Sequence, residues 1–201
     1  MGQTIRGAQQ TPIVVIEQGR PVLRVGGVIQ SVGVNESYQA DIWDAMAPRE
    51  RPANALILGL GGGTIASLLT QRFGALPITG VERDPAVVWL ARHEFGLDAL
   101  AHLHIVVADA FDYARRCREQ YDAICVDLYT AGKMAHGVLG PRFLRDVARL
   151  LTPEGEATIN LWRSPYLADQ LRRLGRALLV REIVEVDENV IVHCGRLPDA
   201  R

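Results

Sequence analysis

The sequence predicts an α/β protein: a doubly wound, mostly parallel seven-stranded sheet with an antiparallel C-terminal hairpin, preceded by a small N-terminal β-meander. Three observations carry this reading. From Asn54 onward, apolar runs without polar alternation (ALILGL, LPITGVE, YDAICVD) take turns with helix-patterned segments. That is the pattern of parallel strands buried on both faces and joined by helices. The last two strand-like runs, LVREIVEV and NVIVHCG, are joined by little more than Asp187-Glu188, too short a link for a parallel crossover, so they pair antiparallel. Before Asn54, the short β-branched runs PIVVIE, PVLRV and VIQSVGV are broken by Gln18-Gly19-Arg20-Pro21 and Gly26-Gly27, which are turn signals between the strands of a meander.

Taken in order, residues 1–11 read as a flexible tail, its opening MGQTIRGAQQ lacking the apolar run of a secretion signal. Residues 12–47 form the β-rich segment plus a helix, YQADIWDAM, in which Ile42 and Met46 share a face beside Tyr38 and Trp43. Pro48 and Pro52 mark a linker, and residues 48–201 form the main domain. Its first strand, ALILGL, leads to a helix from about Thr64 to Phe73, and its second, LPITGVE, to a helix opened by Pro85. HLHIVVAD is the third strand, followed by an FDYARRC helix, and YDAICVD is the fourth. A loop then runs to Pro141 and an amphipathic FLRDVARLL helix. Thr152-Pro153-Glu154-Gly155 reads as a turn before the fifth strand, EATINLW, and a basic helix (YLADQLRRLGRAL) precedes the final hairpin.

Composition narrows the function classes. Lys and Arg total 22 against 23 Asp and Glu, a net charge of −1, so there is no cationic excess for neutralising phosphate backbones and no nucleic-acid partner is expected. Hydrophobic residues at 48% and charged residues at 22% describe an ordinary globular chain. No apolar stretch approaches the length of a transmembrane helix, so no membrane partner is expected. Cys117, Cys125 and Cys194 form no CxxC pair and read as reduced thiols, which points to a cytoplasmic protein. His102 and His104 have no other ligand at metal-binding spacing, so no metal is expected.

The sharpest local signal is Leu58-Gly59-Leu60-Gly61-Gly62-Gly63-Thr64, between the first strand and its helix. Glycines here let the chain turn tightly and let a ligand approach the main chain, and the helix start offers unpaired N–H groups. Gly61-x-Gly63-x-x-Ala66 also satisfies the dinucleotide fingerprint, which leaves a nicotinamide dehydrogenase as one reading. Glu82 ends the second strand, where a carboxylate can accept hydrogen bonds from both ribose hydroxyls of a nucleoside. Asp109, ending the third strand before Ala110, suits both an adenine amine and the N-cap of the next helix. Asp127 ends the fourth. Ligands of open α/β sheets gather at these carboxyl ends.

LILGLGGGTIASLL, GVERDPAVV, VVADAFDYA and YDAICVD together resemble the motif series of spermidine synthases and their relatives, the polyamine aminopropyltransferases, which share the class I methyltransferase fold. GGVIQSVGVNESYQADI resembles the same family's segment of a strand ending in Gln, an acidic turn and a Tyr-Gln pair opening a helix. The resemblance implies a donor, decarboxylated S-adenosylmethionine, lying over Gly59, Gly61, Gly62 and Gly63, with Glu82 on its ribose and Asp109 and Ala110 at its adenine. It implies Asp127 and Tyr38 as catalytic residues, Gln30 at the reacting centre, and Tyr38, Gln39, Asp127 and Tyr129 around a small-molecule amine. It also implies a homodimer formed through N-terminal strands. The chemistry accounts for the carboxylate: a primary amine with pKa near ~10 is protonated at pH 7, and exposing its lone pair costs roughly 4 kcal/mol. A carboxylate within hydrogen-bond reach takes that proton and orients the nitrogen.

Two positions depart from the family pattern. Gly62 stands where the family has an Asp near the sulfonium side chain, and Thr130 stands where a second acid follows the catalytic one. Both changes remove negative charge from a site for cationic amines. They leave open a methyltransferase using S-adenosylmethionine itself, or a catalytically weakened paralogue that only binds a nucleoside. Trp162, just past the fifth strand, reads as a core residue rather than a pocket wall, and the Thr130–Gly140 loop as a gate with His136 and Lys133 on it.

Overall fold

The computed structural model describes residues 11–35, 41–130 and 132–198. Three N-terminal strands, β1 (Pro12–Glu17), β2 (Arg20–Val25) and β3 (Val28–Val32), form an antiparallel meander in sequence order. The short helix α1 (Ile42–Ala45) follows, capped by Asp41, whose side chain accepts from the Trp43 N–H. Expected as a longer helix, it is a single turn within the described residues.

The main sheet begins with β4 (Ala55–Leu58), every residue of which is buried. Then come α2 (Thr64–Phe73), β5 (Ile78–Glu82), α3 (Pro85–Glu94) and, after a single 3-10 turn over Leu97–Ala99, β6 (Leu103–Val107). The chain continues through α4 (Ala110–Arg116), β7 (Tyr121–Val126), a small two-stranded ladder of β8 (Tyr129–Thr130) and β9 (Lys133–Met134), α5 (Pro141–Leu150) and β10 (Leu151–Trp162). It closes with α6 (Leu167–Leu174), β11 (Leu178–Val186) and β12 (Asn189–Arg196). The order across the sheet is β11-β12-β10-β7-β4-β5-β6. Strands β10, β7, β4, β5 and β6 run parallel, while β12 is antiparallel to both β10 and β11. This is the predicted sheet, and Val186 pairs with Asn189 across the two-residue turn.

Thr152–Gly155, read from sequence as a turn, lies inside β10 instead. The ladder to β7 skips from Leu151↔Tyr121 to Glu156↔Ala123, so the extra residues bulge out of an otherwise continuous strand. The β8–β9 ladder is a second feature without a sequence signal, because two-residue strands are too short to show a period.

Two cores flank the sheet, as the period of two along a strand requires. Leu56 and Leu58 face one core with Ile124, Val126 and the apolar sides of α4 and α5. Ala55 and Ile57 face the other with Cys125, α2 and the N-terminal residues Val22, Val32, Trp43 and Met46. The N-terminal segment is thereby packed into the main domain's own core; each such fully buried large side chain is worth roughly 1.5–3 kcal/mol. Among the described residues no helix is long and apolar enough to cross a membrane.

Parallel pairing sets the site. Leu58 pairs with both Val81 and Val126, and Glu82 with Val107, so β4, β5, β6 and β7 end together. The chain after β4 turns toward β5 and β6, whereas β7 lies on its other side, so a crevice opens between β4 and β7 at their carboxyl ends.

Candidate active site

A cavity of about 530 Å³ occupies this crevice. Its wall includes Gly59, Leu60 and Gly61 from the loop after β4, Glu82 and Arg83 from the end of β5, Asp109, Ala110 and Phe111 at the start of α4, and Asp127 and Tyr129 after β7. Gln30 and Ser31 from β3 and Ile42 and Trp43 from α1 close it from the N-terminal side.

The glycine loop is held by hydrogen bonds from three directions. The N–H groups of Gly59 and Leu60 both donate to the Val81 carbonyl at 3.0 Å. Gly61 N–H donates to Glu82 Oε2 at 3.1 Å, and Gly62 N–H to Ser31 Oγ at 2.7 Å. Thr64, at the head of α2, both accepts from and donates to the Val32 backbone, at 3.0 and 2.7 Å, which stitches β3 onto the loop. Gly59 has no substitute: its φ is +94°, and a Cβ would lie 2.1 Å from the Asp127 carbonyl oxygen. That contact lets the ends of β4 and β7 approach closely.

Glu82 spends its carboxylate partly on the backbone. Oε1 accepts from Arg83 N–H at 2.9 Å and Asp84 N–H at 3.1 Å, while Oε2 holds Gly61. These bonds fix the carboxylate at the cavity wall, and Oε2, which accepts only one of them, keeps lone-pair capacity for a ribose hydroxyl. Asp109 is the N-cap expected of it. Its Oδ1 accepts from Phe111 N–H at 2.9 Å and Asp112 N–H at 3.1 Å, and the residue lines the cavity as well. Gly62 and Gly63 do not line the cavity: Gly62 packs on Ser31 and Phe95, and Gly63 faces Leu97.

Asp127 is buried and held by two side-chain donors. Trp43 Nε1–H donates to its Oδ2 at 3.0 Å, and Asn160 Nδ2 donates to its Oδ1 at 2.9 Å. Asn160 is oriented in turn by Asn189, whose Nδ2 donates to Asn160 Oδ1 at 2.8 Å, and Tyr129 Oη donates to the Asn160 carbonyl at 3.3 Å. Burial raises the Asp127 pKa above the ordinary carboxylate value, and the Asn160 and Trp43 bonds offset only part of that. Both donors are neutral side chains. The Tyr129 hydroxyl is pushed up as well, by burial and then by the Asp127 charge, so it stays protonated and able to donate.

The structure thus brings together Gln30, Gly59, Gly61, Glu82, Asp109, Ala110, Asp127 and Tyr129. Tyr38 and Gln39 lie outside the described residues. Trp162, expected in the core, is instead 44% exposed and lines the cavity, because it sits at the very end of β10, beyond the strand's buried stretch. Sequence reading missed Ser31, Trp43, Asn160 and Asn189 as site residues. Asn160 left a trace: a carboxamide in the middle of EATINLW must find partners once buried. Trp43 left none, since a tryptophan beside a helix face looks like core.

Known proteins resemble this chain in sequence and in fold. The methyltransferase domain family matches residues 56–159, more than half of the chain. Curated relatives are of two kinds. An eEF1A lysine and N-terminal methyltransferase from Bos taurus is 31% identical over 161 residues, 72% of this chain and 23% of the relative. A polyamine aminopropyltransferase from Chromobacterium violaceum is 29% identical over 127 residues, 63% of this chain and 49% of the relative. The chain therefore spans about a quarter to a half of the length of these relatives. The structure of human Methyltransferase-like protein 13 in complex with SAH superposes with a TM-score of 0.65 at 27% identity, covering 74% of this chain and 73% of that one. Spermidine synthase structures under 20% identical share the fold over nearly the whole chain. Both kinds of relative are transferases built on one fold, and the chain belongs to the methyltransferase domain family.

Proposed function

We propose that this protein transfers an alkyl group from an S-adenosyl sulfonium donor to the nitrogen of a small amine, with decarboxylated S-adenosylmethionine as donor and an aminopropyl group as the group moved. The observation that carries the reading is the Asp127 carboxylate, held by neutral donors on the wall of the same cavity as Gly61, Glu82 and Asp109. A nucleoside lying across Gly59–Gly61 would put its ribose at Glu82 and its adenine at Asp109 and Phe111. Its sulfur end would then point toward Asp127. The amine lone pair attacks the carbon next to the sulfonium, the carbon–sulfur bond breaks with its electron pair going to sulfur, and the nitrogen's surplus proton passes to Asp127. A carboxylate whose ionised form is poorly stabilised is a stronger base than an exposed one, and its fixed orientation aims the nitrogen. The acceptor end of the cavity is lined by Trp43, Tyr129, Trp162 and Asn189.

A second reading, methyl transfer from S-adenosylmethionine, has an observation of its own. Gly62 supplies no carboxylate for a donor ammonium, and Arg20 lines the cavity, where it suits a donor carboxylate. Calorimetric titration with the two donors separates the readings. Tighter binding of the decarboxylated donor supports aminopropyl transfer, and tighter binding of the carboxylated donor replaces it with methyl transfer. No turnover with any amine, unchanged by Asp127→Asn, would leave a nucleoside-binding protein.

A further inference from the structure

Behind the site lies a buried acid–base pair that the chemistry above does not use. His193 on β12 is 2% exposed at its side chain, and its Nδ1 meets the carboxylate of Glu156 on β10. Its other ring nitrogen, Nε2, lies 3.0 Å from the Ala45 carbonyl, the last residue of α1. Glu156 also accepts the Arg49 N–H, on Oε2 at 3.2 Å. The neighbouring carbonyl, Met46, accepts from Thr158 Oγ1 at 2.8 Å and from the Cys125 thiol. The connector after α1 is therefore pinned to the sheet at Ala45, Met46 and Arg49. Two residues before Ala45, on the same helical turn, Trp43 holds Asp127.

The hydrogen-bond inventory constrains the protons. A carbonyl oxygen only accepts, so Nε2 must donate to Ala45. Burial pushes the Glu156 carboxyl up, but the bonds from His193 and the Arg49 N–H, with the charges of both residues, leave it below the ordinary value. Both ring nitrogens of His193 are thus committed, one to Glu156 on the sheet and one to Ala45 at the end of α1.

We propose that His193 and Glu156 are positioning residues for Asp127: together they hold Ala45, and through the single turn of α1 they hold the Trp43 indole on the catalytic carboxylate. This rests on the assignment of Asp127 above. Arg49 is in turn paired with Glu182 of β11 at 2.7 Å, a further hold on the connector.

His193→Leu and His193→Gln separate this role from mere packing. His193→Leu removes the contact with Ala45, while the amide nitrogen of His193→Gln can still donate to the Ala45 carbonyl. The readouts are the Trp43 indole N–H resonance in 15N-tryptophan-labelled protein, assigned with Trp43→Phe, and the pH profile of kcat/KM. His193→Leu is expected to displace the resonance and to move the acidic limb of kcat/KM up by about one pH unit, a tenfold loss on that limb. His193→Gln is expected to keep both close to the wild type. An indole resonance unmoved in His193→Leu, or displaced in His193→Gln, overturns the proposal, and the second outcome decides it even if His193→Leu fails to fold. Because the resonance is read without substrate, it tests the positioning role separately from the proposed reaction.

Discussion

The indole N–H of Trp43 donates to Oδ2 of Asp127 at 3.0 Å, joining residues 84 positions apart in the chain. One comes from a single helical turn in the N-terminal segment and the other from the tip of a central strand, so the N-terminal segment contributes to the wall of the cavity. Trp43→Phe keeps the ring and removes the donor. A net hydrogen bond to a charged group is worth about 1.5–3 kcal/mol, so the Asp127 pKa is expected to rise by roughly one to two units. The acidic limb of the kcat/KM profile should shift upward by that amount, with donor binding unchanged in calorimetry.

Asp127→Asn removes the proton acceptor. The expected effect is a loss of kcat of about 10²–10⁴, the span usual for a general base, while methylthioadenosine still binds. Single-turnover kinetics beside calorimetry separates the two. A loss of nucleoside affinity equal to the loss of rate would place Asp127 in binding instead.

Gly59→Ala tests the close approach of β4 and β7. Gly96, with φ +70° and nothing within 4 Å of a new Cβ, serves as the control. Gly96→Ala is expected to cost about 1–2 kcal/mol for left-handed backbone alone. Gly59→Ala should cost a further 1–3 kcal/mol or so, because its Cβ meets the rigid Asp127 backbone. Urea unfolding of both variants measures the difference.

Glu82→Gln places an amide N–H₂ opposite backbone N–H donors, since its oxygens already serve Gly61, Arg83 and Asp84. The loop is expected to lose about 1–3 kcal/mol of its fixation, and nucleoside affinity to fall at least about tenfold. Titration with methylthioadenosine checks this.

The Glu156 carboxyl, with its folded pKa lowered, contributes to acid stability. Its contribution is fully present above the unfolded value of about 4.3 and is lost as pH falls through the lower folded value. Urea unfolding between about pH 3 and pH 6 should show wild-type stability falling with acid, and a flatter profile for Glu156→Gln.

Much of this was legible in the residues. Unbroken apolar runs marked the parallel strands, Asp187-Glu188 fixed the terminal hairpin, and Gly59, Glu82, Asp109 and Asp127 each stood at a strand end, where parallel pairing was bound to collect them. What stayed hidden was set by contacts between distant segments. Trp43 reaches Asp127 only because Met46 and Ala47 are buried in the core beneath α2, and no local pattern encodes that. Asn160 faces Asp127 because Ile159 pairs with Val126, a register that emerges only when β10 bulges over Thr152–Gly155. Trp162 leaves the core for a related reason, since it lies just past the same paired stretch.

The central claim is that a purine nucleoside occupies the crevice with its sulfur end toward Asp127. Isothermal titration of S-adenosylmethionine, its decarboxylated form and methylthioadenosine against the wild type and Glu82→Gln tests it most directly. Saturable binding with one nucleoside per chain, weakened at least about tenfold in the variant, is the expected result. Absence of saturable binding for all three ligands would contradict it.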